Sequence, residues 1–252
     1  MRNGIFPVFA KGRVLKKESI EYLRDFPHDL ASLARVDYSD GILFGFSVSF
    51  KDGYIFVSKG ALKYQGNIII VQETIVPITE YGSFLYIKLV IGKCSETEDY
   101  KTCPIEIKID ENELSEENAI ELGRFCLNPG AVLRCKYDSF NDLRTPENTL
   151  DITRVSYAGY GTATLHPIVL KEYARALMAT STETADFAFA LMCINSDVIH
   201  KNSIQWYIAK KNDSPHEDYT VSELYEKLVD MLPKHGRKNK PERSRGKGPS
   251  IS

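Results

Sequence analysis

The 252 residues carry 32 Lys or Arg against 34 Asp or Glu, a formal charge of −2, and 43% of them are hydrophobic. These values are ordinary for a globular chain, and the length suits one large domain or two modest ones. No apolar run approaches the roughly eighteen residues of a membrane-spanning helix, so no span is expected.

The opening MRNGIFPVFAKGR holds one short apolar run broken by Pro7. It makes a poor signal peptide, and the expected location is the cytoplasm. Residues 1–37 read as an arm followed by helices. Ile5, Phe6, Val8 and Phe9 precede any regular element, and such apolar groups must be covered by their own chain or by a neighbour. Over residues 16–36, Ile20, Leu23, Leu30, Leu33 and Ala34 recur at the spacing of one helical stripe. Pro27, inside Asp25-Phe26-Pro27-His28-Asp29, predicts a break, with the proline starting a second helix. The pair either packs on the domain that follows or docks another protein.

Residues 38–135 are expected to form an antiparallel β-sandwich or small barrel. Ile42, Phe44, Phe46, Val48 and Phe50 fall on every second residue, which places five apolar groups on one face of a strand. Turns at Lys51-Asp52-Gly53, Lys59-Gly60 and Gln65-Gly66-Asn67 separate this strand from others over residues 54–58, 61–64 and 68–71. Pro77 and a strand over 84–90 follow. Alternation resumes through Ile105, Ile107 and Ile109, residues 115–118 suit a short helix, and residues 120–127 and 131–135 suit two more strands around Asn128-Pro129-Gly130. Asp110, Glu111 and Glu113 complement a helix start, so a solvated cap explains them without a metal.

Residues 136–165 read as an irregular linker with aromatic anchors, Tyr137, Phe140, Tyr157 and Tyr160 among them. Its Gly159 and Gly161 do not make a phosphate-binding loop, since neither GxxxxGK[ST] nor GxGxxG occurs there. A small helical bundle of about four helices is predicted over 166–232, opening at His166-Pro167. Residues 233–252 change character. Lys234, Arg237, Lys238, Lys240, Arg243, Arg245 and Lys247 face one acid, Glu242, giving +6 to this stretch and −8 to residues 1–232. The tail is expected to be disordered in isolation and suited to an acidic protein surface. It lacks interleaved aromatics, so base stacking is not indicated.

Motifs for catalysis are missing. The histidines at 28, 166, 200, 216 and 235 form no HExxH, no GxSxG is present, and His166 and His200 read as polar caps at helix ends. Cys94, Cys103, Cys126, Cys135 and Cys193 include no CxxC pair. Free thiols are the expectation over a zinc site. No enzyme activity, metal or cofactor is expected.

The segment Tyr38-Ser39-Asp40-Gly41-Ile42-Leu43-Phe44-Gly45-Phe46, followed by Val57-Ser58-Lys59-Gly60 and Gly66, resembles a strand motif of phage tail-fibre and baseplate proteins. There, SDGI(I/V)xG precedes V-x-x-G-x-x-x-x-x-G. The helix ahead of it, with Leu30, Leu33 and Tyr38, shares the resemblance. The resemblance implies a structural part of a contractile phage tail, a tailocin or a related injection system, working as a multimer among other tail or baseplate proteins. It implies a location in the cytoplasm during assembly and then in the assembled particle. The chain has no fibre repeat, which favours a baseplate component or a fibre-attachment adaptor. On this view Phe6, Phe9, Leu23, Leu30, Leu33 and Tyr38 are interface residues. Two other classes stay open. A carbohydrate-binding module would use exposed Tyr54, Tyr64, Tyr81 or Tyr86. A nucleic-acid-binding protein would use the basic tail, against the negative charge of the body.

Overall fold

The protein, seen in a computed structural model, is described over residues 7–97, 101–113 and 118–232. In chain order the elements are α1 (Lys17–Leu33), β1 (Gly41–Phe44), β2 (Val48–Lys51), β3 (Tyr54–Val57), β4 (Gly60–Tyr64), β5 (Asn67–Val71), β6 (Thr74–Pro77) and β7 (Phe84–Ile91). Then come β8 (Ser95–Glu96), β9 (Lys101–Thr102), β10 (Ile105–Asp110), β11 (Ala119–Cys126), a 3-10 turn at Phe140–Arg144, β12 (Ser156–Tyr157) and β13 (Thr164–Leu165). Four helices end the described chain: α2 (Pro167–Thr180), α3 (Thr184–Asn195), α4 (Lys201–Lys211) and α5 (Val221–Met231). The fold is α+β, and its sheets do not close into a barrel.

Four sheets share the β region: β13-β12-β1-β4-β5, β10-β7-β11, β2-β3-β6 and the ribbon β8-β9. The predicted strand through Ile42 and Phe50 is in fact two strands in two sheets. Gly45 stands at φ +82 and Phe46 at φ +55, a region where non-glycine residues are uncommon. The chain turns there, so Phe44 is exposed while Phe46 is buried. A Cβ on Gly45 would lie 2.4 Å from the Lys59 carbonyl oxygen and 2.5 Å from the Gly60 Cα. Only a glycine lets these two backbones pass.

The segment expected to be a linker is part of the core. Phe140, Leu143, Leu150, Ile152, Val155 and Tyr157 are all buried. β12 lies parallel to β1, Ile42 opposite Tyr157, and the Tyr38–Tyr160 bridge extends the contact. The Phe140 ring meets those of Tyr173 and Tyr225, each at 5.1 Å. One hydrophobic cluster therefore runs from Ile42 to Leu228. Short aromatic and aliphatic residues among turn formers lack a strand or helix period, and that hid their burial from sequence reasoning.

Three other expectations change. Pro27 does not split the first helix, which runs unbroken past it. An exposed helix tolerates the missing N–H because water can serve the carbonyl left unpaired. Residues 131–135 form no strand. The stretch makes a single bridge, Arg134 with Thr149, and the Arg134 guanidinium is held instead by the Asp142 carboxylate at 2.6 Å. Cys94 and Cys103 are not free thiols but form a disulfide. They flank the β8–β9 ribbon, in which Ser95 faces Thr102, so the two cysteines are cross-strand neighbours. Cys126 and Cys135 share the same spacing but no ribbon, and remain free with Cys193. The helix expected at 115–118 falls mainly outside the described residues.

The helical region follows its sequence signals closely. Pro167 sits in the first turn of α2, with the His166 side chain as cap, and Thr220 with Glu223 makes a capping box on α5. His200 precedes α4 but makes no side-chain cap. Its ring lies against Tyr38 and Tyr160. Asp186 of α3 accepts from Tyr207 Oη at 2.7 Å and Lys211 Nζ at 2.8 Å, fastening α4 to α3.

Candidate functional site

α1 differs from every other helix of the described chain, for none of its residues is buried. Ile20, Leu23, Phe26, Leu30 and Leu33 all stand exposed, Leu33 at 68%. Their spacing puts them within one broad helical face. The opposite side carries charge, with Lys17 paired to Glu21 at 3.4 Å and Arg24 to Asp25 at 2.6 Å. An amphipathic helix of this kind gains most of its stability in proteins by burying its apolar face. Here the face is uncovered. The preceding segment continues it, with Val8, Phe9, Val14 and Leu15 exposed.

The foot of this helix is firmly held, and the clamp is Lys63. It is the fourth residue of GALKY, in a strand with β1 and β5 on either side, and it is 8% exposed. Its ammonium donates to three carbonyl oxygens, of Arg35 at 2.9 Å, Val36 at 3.0 Å and Tyr38 at 2.5 Å. The buried charge is thereby solvated by backbone dipoles at the carbonyl end of α1, where the helix is partly negative. Around it the backbone is stitched to the body. Ser39 N–H donates to the Gly159 carbonyl and Gly161 N–H to that of Asp37, both at 2.8 Å. Asp40 Oδ2 accepts from the Gln65 N–H at 2.9 Å. The SDG segment is thus a tether between an exposed helix and the five-stranded sheet.

Of the residues singled out in the sequence, Phe9, Leu23, Leu30 and Leu33 belong to the exposed arm and helix. Tyr38 does not share that surface. It is half-buried at the tether, with the Arg35 guanidinium 5.0 Å above its ring. Phe6 and the basic residues Lys234, Arg237, Lys238, Lys240, Arg243, Arg245 and Lys247 lie outside the described residues. Lys63 was missed in the sequence. Its one signal there was a charge inside an apolar strand.

The other candidate groups are mostly engaged. Tyr64 Oη donates to Asn118 at 2.8 Å, and Tyr86 lies under the Arg124 guanidinium at 4.7 Å. Tyr54 and Tyr81 are exposed. Asp110 pairs with Lys88 at 2.6 Å and Glu113 with Arg124 at 3.2 Å. Among the described residues no group of three or more His, Cys, Asp or Glu is placed to hold a metal ion. No described helix is long and apolar enough to cross a membrane.

No protein-family profile matches the chain, and no curated protein matches it. Among solved structures it is similar in outline to TssK, at 10% identity and a TM-score of 0.36, over 93% of this chain and 71% of that one. It is likewise similar to a chain of the type VI secretion system TssK-TssF-TssG baseplate subcomplex, at 9% identity and a TM-score of 0.39, over 90% of this chain and 98% of that one. Likenesses of this size carry no functional inference.

Proposed function

We propose that this chain is a structural component of a contractile-tail or injection-system baseplate, joined to other baseplate proteins through its N-terminal arm and α1, and that it is not an enzyme. The observation that carries the reading is α1, a helix whose apolar stripe is bare along its length while its foot is clamped by Lys63. A bare stripe of this kind marks a protein-binding surface. The resemblance of the 38–66 segment to tail-fibre and baseplate strands supports the particle type. The basic tail, at +6, supports steering toward an acidic partner. The protein would then be held in place by apolar burial and oriented by charge, in the cytoplasm during assembly and in the finished particle afterwards.

The test is co-expression with the products of the neighbouring genes, followed by affinity capture and light scattering. The Phe6→Asp, Phe9→Asp double variant and the Leu23→Asp, Leu30→Asp double variant should fold normally yet lose the complex. Normal incorporation of both would sink the reading.

A further inference from the structure

The Cys94–Cys103 disulfide stands apart from the sheet that carries it. β7 and β10 pair through six residues, from Tyr86 with Asp110 to Ile91 with Ile105. One more bond continues the ladder, from the Gly92 N–H to the Pro104 carbonyl at 2.8 Å. Pro104 has no N–H to return, so the pairing stops there. Beyond it Ser95 faces Thr102, a register in which Cys94 meets Cys103 and Lys93 has no residue opposite. That is a one-residue bulge, and it separates the β8–β9 ribbon from the ladder. The ribbon has two residues per strand, with Ser95 and Glu96 exposed. A ribbon so short is marginal in water without support. Its support is the bridge between the two cysteines, both of them half-buried. The buried side chains of the sheet, Ile87, Leu89 and Ile91 among them, lie on the far side of the bulge. The other three cysteines are poorly placed to compete. Cys126 and Cys135 are half-buried and Cys193 is buried. Burial pushes the Cys135 thiol up to about 11 and the Cys193 thiol up to about 12, so neither offers a thiolate for exchange near neutral pH.

We propose that Cys94 and Cys103 form a reversible redox site that exchanges with a small thiol–disulfide couple of the glutathione type, closing the β8–β9 ribbon on oxidation and opening it on reduction. In the reducing direction a glutathione thiolate attacks the sulfur of one cysteine. A mixed disulfide forms, and the other cysteine leaves as a thiolate and takes up a proton. A second glutathione thiolate then attacks the glutathione sulfur of that intermediate, giving oxidised glutathione and the second cysteine thiol. The protein gains two electrons and the two protons that the glutathione thiols give up, and the reverse sequence returns them. A reducing cytosol favours the open ribbon and an oxidising surrounding the closed one. The rest of the fold does not follow, because the ladder and its buried side chains end before the bulge. The inference uses the ribbon alone and is independent of the baseplate reading.

The test equilibrates the full chain, without denaturant, in buffers of graded reduced to oxidised glutathione. Each sample is quenched in acid, unfolded, alkylated and weighed. All five cysteines should take the label at the reduced end, and only Cys126, Cys135 and Cys193 at the oxidised end. Amide exchange on the same series should quicken at Ser95, Glu96, Lys101 and Thr102 on reduction. Ile87 and Leu89 should keep their protection, and thermal melting should stay cooperative. The Cys94→Ser, Cys103→Ser double variant should exchange like the reduced protein and ignore the buffer. A bridge that glutathione reduces only after unfolding overturns the proposal and makes the bond a permanent staple. Reduced protein that loses protection along β7 overturns it as well, since the bond would then hold the sheet. Ribbon exchange that reduction leaves unchanged, or thiols at 94 and 103 that stay free at the oxidised end, would also defeat it.

Discussion

The Lys63 ammonium lies 2.5 Å from the Tyr38 carbonyl oxygen and joins a strand of the central sheet to the tether of α1. The bond is one of three that Lys63 makes with carbonyls of that tether, the others being those of Arg35 and Val36. Replacing Lys63 by methionine keeps the volume of the stem but takes the ammonium from all three carbonyls, of which that of Arg35 keeps the Tyr38 N–H as a donor. An orphaned buried polar group costs about 1–3 kcal/mol. Lys63→Met should therefore lower stability by roughly that amount and speed amide exchange over residues 35–39, while the helices after residue 166 keep their protection. Unchanged exchange at the tether would show that the clamp is ornamental.

Gly45 makes a sharper prediction. Gly45→Ala must place its methyl within 2.4 Å of the Lys59 carbonyl oxygen while holding φ at +82. The neighbour is backbone and cannot step aside. The variant should lose several kcal/mol, on the scale of strained-backbone and overpacking changes combined, whereas Gly130→Ala, with open space around it, should lose only the smaller cost of a positive φ. Urea melts of the two variants give the comparison.

Glu121 and Arg124 form the one fully buried two-point ion pair described, with Nε to Oε1 at 2.6 Å and both side chains nearly inaccessible. The bulge at Gly123, where φ is +151, brings the two onto the same side. Arg124→Met should destabilise by about 3–5 kcal/mol, because Glu121 is left charged and dry, and Glu121→Gln by less, because Glu113 still faces the guanidinium at 3.2 Å. Replacing both by apolar residues of matching volume should cost less than either single change. A double-mutant cycle in urea measures it, and simple additivity would contradict the account.

His166 sets a pH dependence. Its Nδ1 accepts the Ile168 N–H at 3.0 Å and caps α2, so a proton there would replace an acceptor by a donor. Burial, with Lys171 close by, holds the imidazole well below its usual range, to about 3. A lowered histidine value means that the unfolded chain binds a proton that the folded chain refuses. Stability should then decline as pH falls below about 6.5, the ordinary histidine value, and continue to decline toward about 3. His166→Asn keeps a capping oxygen without the titration and should flatten this part of the curve. Thermal melts from neutral to mildly acid pH decide the matter.

Much of this molecule was legible residue by residue. Glycine turns and alternation marked most of the strands between 54 and 126, and His166-Pro167 marked the opening of the region that holds the last four helices. Those features are local, since period and turn chemistry depend on neighbours in sequence. The exposed stripe of α1 was visible too, but not that it is bare, because amphipathicity says only that one face seeks cover. What the tertiary structure decided is which distant residues meet. Tyr157 beside Ile42, Cys94 bonded to Cys103 and Phe140 between α2 and α5 follow from pairings across the chain that no local period encodes. Lys63 is the clearest case. Its charge looks misplaced in its strand until the carbonyls of Arg35, Val36 and Tyr38 come to it, and a buried ammonium is stable only where such acceptors converge.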